Sequence, residues 1–158
     1  MPQEPSPEAV SQFVERFASV MANSGVPFMS ARVMGRMLVS PTGTMTAAEL
    51  AESLQISQPA VSGAVRQLIQ VAFISRERIP GSRKDHYRIR DDVFAAMLER
   101  RNNALGDWEA STRSGADLFG ADTDVGRRLG EAADFFNFIR DDLDRMIKNW
   151  RSEHPPTP

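Results

Sequence analysis

The sequence predicts a mainly α-helical fold with one small β-wing. Three observations lead there. Hydrophobic residues recur at helical spacing over most of the chain, one short stretch of strand-like alternation interrupts them, and basic charge gathers around that interruption. The centre is residues 46–73. Thr46 followed by Glu49 forms a capping box and starts a helix, whose apolar face is Leu50, Ala51 and Leu54. Gln55-Ile56 makes a short turn, and Ser57 or Gln58 caps a second helix. Pro59 fits its first turn, where backbone N–H groups have no internal partner. Val61, Ala64, Val65, Leu68, Ile69 and Ala72 should face inward, with Ser62, Gly63, Arg66, Gln67 and Gln70 on the opposite face. Two short helices joined by a tight turn read as a helix-turn-helix. The stretches 74–79 and 85–90 alternate like strands around the turn signal Pro80-Gly81-Ser82, so a hairpin, or wing, follows the second helix directly. Thr44-Met45 is a candidate third strand against it.

The flanks are helical. Val10, Phe13, Val14, Phe17, Val20 and Met21 form an amphipathic stripe that ends at Gly25, a residue suited to a left-handed backbone. A second helix runs from Phe28 or Ser30 to Val39. Gly35 inside it costs helix stability, which points to close packing against another backbone. Arg32 and Arg36, one turn apart, are placed to pair with acids of the dimerisation helices, with a phosphate contact by one of them as the alternative. Beyond Arg90 a helix capped by Asp91 or Asp92 carries Phe94, Met97, Leu98, Leu105 and Trp108 near one face, with Gly106 and Gly115 as candidate kinks. The last helix, from about Val125 to Arg151, repeats Leu129, Ala132, Phe136, Ile139, Leu143, Met146 or Ile147, and Trp150 by threes and fours, close to a heptad. A stripe that long exceeds what one compact unit covers. We therefore expect a homodimer built from the chain's two ends. The boundaries follow: a winged helix-turn-helix DNA-binding domain over residues 28–90, a helical dimerisation region over 7–27 and 91–152, and disordered tails at 1–6 and 153–158.

Composition narrows the function. With 158 residues and no cysteine, the chain has neither disulfides nor thiol chemistry. Two histidines provide no metal cluster, and no glycine loop is built to cradle a phosphate, so neither an enzyme nor a cofactor is expected. The proline-rich start is no signal peptide and no apolar run would span a bilayer, which points to the cytoplasm and away from membranes. Charge is uneven. Residues 57–90 hold seven basic and two acidic side chains, net +5, while the remainder holds twelve and nineteen, net −7. A basic segment on an acidic protein is the footprint of a phosphate-binding surface, here double-stranded DNA.

The words LAESLQISQPAVSGAVRQL and PGSRKDHYRI resemble the MarR superfamily of winged-helix regulators over the central 45 or so residues, and the flanking helices match it by arrangement. The wing tip Pro80-Gly81-Ser82-Arg83-Lys84, with Tyr87 behind it and ARVMGRML upstream, replaces the more usual Asp-x-Arg tip and is more similar to the GbsR-like branch. The resemblance implies a dimer on a pseudo-palindromic operator, and a small-molecule effector that binds between the DNA-binding and dimerisation parts and releases DNA, as in a ligand-responsive repressor. The competing readings are a protein-binding winged helix and a constitutive, effector-free DNA binder.

In a helix-turn-helix the second helix enters the major groove by its N-terminal part. Ser57, Gln58, Pro59, Ala60, Ser62, Gly63 and Arg66 are then nearest the bases. Gln58 suits adenine, Arg66 guanine, and Ala60 a thymine methyl, while Gly63 admits a close backbone approach. Ser57, Ser62 and Gln67 are more natural phosphate donors. In the wing, Arg83 beside Ser82 is the candidate for a narrow minor groove, with Arg76, Arg78, Lys84 and Arg88 along the backbone. Either arginine of the 76/78 pair has solvation or pairing with Glu77 as its plainer role. Phe28, Phe94 and Trp108 are candidates to line a ligand pocket, where a cation would suit an aromatic cage, although core packing is the plainer role for all three.

Overall fold

The structure, a computed structural model, describes residues 5–155. The chain divides into two compact units, Met1–Arg90 and Asp91–Pro158. Of the tails expected to be disordered, residues 1–4 and 156–158 lie outside the described residues. The others correct that expectation in part, because Ser6 caps the first helix and Glu153 closes the last.

In the first unit, α1 (Pro7–Asn23) and α2 (Phe28–Leu38) precede strand β1 (Thr44–Thr46), helices α3 (Ala47–Leu54) and α4 (Gln58–Gln70), and strands β2 (Ile74–Glu77) and β3 (His86–Ile89). The core is apolar, with Val14, Ala18, Val33, Met34, Met37, Leu50, Val61 and Leu68 all at most 1% exposed. Burying a Leu or Met side chain stabilises by about 1.5–3 kcal/mol, so α2, the most buried helix, is the post around which this unit is assembled. The helix expected to join the dimerisation region, α1, packs on α2. Its inner residues are Val14 and Ala18, and Phe13 and Val20 remain exposed. A Cβ on Gly35 would stand 2.8 Å from the Phe17 ring, so what approaches this glycine is an aromatic side chain and not the expected backbone.

The capping box is present: the Thr46 hydroxyl accepts from Glu49 N–H at 3.2 Å, and the Glu49 carboxylate accepts from Thr46 N–H at 2.7 Å. The left-handed Gln55 (φ 52°) ends α3 and turns the chain into α4. Ala72 was expected to face inward but does not. α4 stops at Gln70, and Ala72, left-handed at φ 58° and exposed, bends the chain into β2. The three strands are antiparallel in the order β1-β3-β2, with Met45 and Arg76 both opposite Tyr87. Ile74, Tyr87 and Ile89 are buried beneath the sheet.

The second unit is a helical hairpin, α5 (Val93–Phe119) and α6 (Asp124–Glu153). The expected kinks are absent, and α5 runs unbroken because its glycines sit where α6 presses closest. A Cβ on Gly115 would lie 3.0 Å from Leu129, and one on Gly106 would lie 3.5 Å from Arg140. The α6 stripe is turned inward, with Leu129, Ala132, Phe136, Ile139 and Leu143 half-buried and Ile147 buried, whereas the buried face of α5 differs from the expected one. Small or polar side chains, Ala96, Asn102, Ala116, Gly126 and Ala133, line the seam together with Val93 and Ile147. Phe94, Leu98, Trp108, Phe135, Phe138, Met146 and Trp150 are exposed. Helices that meet through small residues come close, and the large side chains are displaced to the flanks. Polar bonds fix the register: Asn102 Nδ2 donates to the Arg140 carbonyl at 3.0 Å, Arg140 reaches Glu109 at 2.7 Å, and Arg151 reaches Asp92 at 3.0 Å and Glu99 at 2.9 Å. The acids Asp141, Asp142 and Asp144 belong to this solvated ion-pair pattern. Among the described residues no helix is long and apolar enough to cross a membrane.

Candidate nucleic-acid interface

α4 keeps its apolar residues on one side and offers solvent the other. Val61, Ala64, Val65 and Leu68 are buried, while Ser57, Gln58, Pro59, Ser62, Gly63, Arg66 and Gln67 are exposed and Ala60 is half-buried. The predicted reading face is therefore one continuous surface. Gly63 is informative because a Cβ there would meet nothing within 4 Å. Among the described residues nothing packs against this position, and glycine there lowers helix stability by about 1 kcal/mol relative to alanine.

Several of the polar groups already have work inside the fold. Ser57 accepts from Ala60 N–H at 3.3 Å and so caps α4. Gln67 accepts through Oε1 from the buried Ser30 hydroxyl at 2.6 Å, which leaves its amide N–H groups as the free end. Ser82 accepts from Lys84 N–H at 3.2 Å and lies 3.1 Å from His86 Nε2, so its oxygen organises the wing tip. The Thr46 N–H and hydroxyl, in that order, hold the Glu49 carboxyl below its ordinary value.

The register divides the wing's cations between two faces. Arg76, opposite Tyr87, lies on the side of Ile74 and Ile89, and its guanidinium stands 5.9 Å from the Tyr87 ring centre. Arg88, opposite Ser75, lies on the other side. Arg78, Arg83 and Lys84 are exposed between the strands. Arg76 stands 3.6 Å from Asp85, and Arg88 4.0 Å from Glu77. Exposed pairs of this kind contribute at most about 1 kcal/mol, so a phosphate can compete for either arginine.

The aromatic candidates divide between the two units. Phe28 is an exposed residue at the start of α2. Phe94 and Trp108 are fourteen residues apart on α5, roughly 21 Å along its axis, so they do not share a pocket wall. Trp108 lies edge-on to Phe136, with ring centres 5.6 Å apart. Phe94 lines an apolar groove of about 350 Å³ with Leu98, Leu143, Met146, Ile147 and Trp150. A larger cavity, about 810 Å³, opens between α1, α2 and the end of α3, where Arg32 and Arg36 are among the lining residues. Sequence reasoning offered Phe94 as a pocket residue but neither its groove partners nor the larger cavity, since each space is formed by residues distant along the chain.

A helix-turn-helix with an exposed polar second helix and an arginine-rich hairpin directly after it defines a winged helix-turn-helix protein of the DNA-binding class. Residues 37–86 match the MarR family, and residues 92–153 match the MmpR5-like MarR family transcriptional regulators. Each match covers less than half of the chain, and both describe MarR family proteins; the chain is a DNA-binding transcriptional regulator. It is similar to the HTH-type transcriptional regulator MmpR5 of Mycobacterium tuberculosis, at 29% identity over 82% of this chain and 79% of that one. A crystal structure of a transcriptional regulator superposes with a TM-score of 0.74 at 25% identity, over 90% of this chain and 98% of the other. A more distant likeness is Sco3205, a MarR family transcriptional regulator from Streptomyces coelicolor solved in complex with DNA, at 18% identity over 61% of this chain and 68% of that one (TM-score 0.45).

Proposed function

We propose that the regulator binds a pseudo-palindromic operator as a homodimer and acts as a ligand-responsive repressor in the cytoplasm, without enzymatic activity. In this reading α4 lies in the major groove. Gln58 and Arg66 read base edges, and Ser62 and the free amide of Gln67 donate to phosphates. The wing tip carries Arg83 to the minor groove. Arg76 on one face of the hairpin and Arg88 on the other, with Arg78 and Lys84 between the strands, track the flanking backbones. The observation that carries it is the exposed, polar outer face of α4, with a glycine at its centre against which none of the described residues packs. The homodimer rests on the large apolar side chains left outside the α5–α6 hairpin, and on Phe13 and Val20 of α1. For the effector, the 350 Å³ groove at Phe94 is of ligand size and apolar. The wing's wording favours the GbsR-like branch, beside the MmpR5-like match over residues 92–153.

Gly63→Ala tests the reading with two opposite signs. Alanine should raise the melting temperature, because it favours helix by about 1 kcal/mol. It should also weaken binding to duplex DNA, because its methyl group stands where DNA must approach. Unchanged binding at a raised melting temperature would move the DNA contact away from this face. Binding that ignores salt would favour the protein-binding alternative.

A further inference from the structure

α2 packs against both halves of the helix-turn-helix and touches each with a polar side chain. Ser30 is 1% exposed, and its hydroxyl donates to Gln67 Oε1 of α4 at 2.6 Å. Two residues later, Arg32 donates through Nη2 to the Leu54 carbonyl at 3.2 Å. Leu54 is the last residue of α3, directly before the left-handed Gln55. The same guanidinium holds Glu15 of α1, with Nε 2.7 Å and Nη2 2.6 Å from Oε1, and its Nη1 lies 3.9 Å from Met29 Sδ. The Arg32 side chain is only 16% exposed, so water competes weakly for these bonds.

The two kinds of contact constrain a helix differently. Apolar burial is non-directional and tolerates small slides and rotations of α4 over the core. A hydrogen bond weakens steeply once its distance and angle depart from a narrow range. Ser30 fixes α4 at its tenth residue, and Arg32 fixes the end of α3, separated by three residues from the start of α4 at Gln58. Together they define the angle between the two helices.

We infer that Ser30 and Arg32 are positioning residues that set the pose of α4 for DNA, and that Glu15, by holding Arg32, couples α1 to that pose. The inference rests on α4 being the reading helix. It gives Gln67 a defined polarity, since an Oε1 tied to Ser30 leaves two N–H donors outward, suited to phosphate oxygen or purine N7 acceptors. It requires arginine at position 32, because a lysine ammonium lacks the planar fork that serves Glu15 and the Leu54 carbonyl at once. It also supplies a route for regulation: whatever displaces α1 draws Glu15 from Arg32 and loosens the brace on Leu54.

The test uses the full chain and two duplexes, one selected by the wild-type protein from a random-sequence library and one scrambled from it. Ser30→Ala, Arg32→Lys and Glu15→Gln are compared by fluorescence anisotropy at two salt concentrations, at a temperature where each variant is folded. Ser30→Ala and Arg32→Lys should lower the ratio of selected to scrambled affinity by about three- to tenfold, the effect of one such hydrogen bond. The salt slope on scrambled DNA should stay unchanged. Glu15→Gln, at a half-exposed position on α1, should produce a smaller fall in the same ratio. Equal losses on both duplexes would assign these residues to stability alone and overturn the inference, as would an unchanged ratio in all three variants. Failure of the wild-type protein to select any duplex would overturn the reading of α4 itself, and the inference with it.

Discussion

The two units solve opposite packing problems. The first puts its large apolar side chains inside, Met34, Met37, Leu50 and Leu68 among them, and shows solvent a basic, polar surface around α4 and the wing. The second closes on alanines, glycines and one asparagine, and leaves Phe135, Phe138, Met146 and Trp150 more than half exposed. The first keeps most of its large apolar side chains inside, with Phe13 and Val20 of α1 left outside, whereas the second leaves several of its largest in water. Contiguous exposed apolar side chains on this scale mark association surfaces. That contrast is what the proposed division, recognition by one unit and assembly by the other, rests on.

The largest expected effect would break the second half of that comparison. The wild-type protein should sediment at twice the 17.6 kDa chain mass. Phe138→Asp combined with Met146→Asp should give the single-chain mass at micromolar concentration, because association would bury two unpaired charges. Circular dichroism then separates dissociation from unfolding. A wild-type protein already at 17.6 kDa would remove the assembly role from the hairpin.

Next in size comes the close approach inside the hairpin. A Cβ on Gly126 would overlap the Gly120 carbonyl oxygen, whereas one on Gly130 would meet nothing within 4 Å. Gly126→Ala should cost roughly 1–3 kcal/mol or more, as backbone must shift. Gly130→Ala should gain up to about 1 kcal/mol of helix propensity. Chemical denaturation of the two variants reads the difference, and equal effects would mean that the hairpin is not closed on small residues.

DNA binding sharpens the first half. Gln58→Ala and Arg66→Ala should each cost about 1–3 kcal/mol and alter which sequence is preferred, while Arg83→Ala should weaken all sequences alike and flatten the salt dependence. Anisotropy titrations on several duplexes distinguish the two patterns.

How much of this was legible follows from how local each signal is. The capping box, Pro59, the Gln55 turn and the wing's alternation act over two to four residues, and α3, α4 and the hairpin formed where those signals stood. The α6 spacing marked an inner face from Leu129 to Ile147, but the α5 pattern failed for a physical reason. Its apolar residues occupy more than one helix face, and periodicity alone cannot say whether the large or the small ones meet the neighbouring helix. Glycines read as weaknesses, Gly106 and Gly115, proved to be contact points, and Gly126 carried no local signal at all. At the interface, exposure of the α4 face could be foreseen from spacing. The Ser30–Gln67 bond spans 37 positions in the chain, and Arg32–Leu54 spans 22. Contacts at that separation are set by tertiary packing, and no short motif encodes them.

The smallest expected effect is a pH dependence lodged in the recognition unit alone. Glu49 accepts from the Thr46 N–H at 2.7 Å and from its hydroxyl at 2.8 Å, and both bonds favour the ionised carboxylate. Its folded-state pKa accordingly lies below the ordinary 4.5, with the backbone bond as the larger cause. A carboxyl with a depressed folded pKa contributes stability that is fully present above the unfolded value and lost as pH falls through the folded one. The difference in unfolding free energy between wild type and Glu49→Gln should thus be constant above about pH 5 and shrink below pH 4.5. Thr46→Ala should cost about 0.5–2 kcal/mol for the lost cap, yet keep part of the pH dependence, because the backbone N–H at position 46 remains. Parallel urea denaturations across pH 3–6 measure both. If Thr46→Ala abolished the pH dependence entirely, the hydroxyl and not the backbone would be the group that holds the carboxylate, and the start of α3 would be anchored differently from the geometry described above.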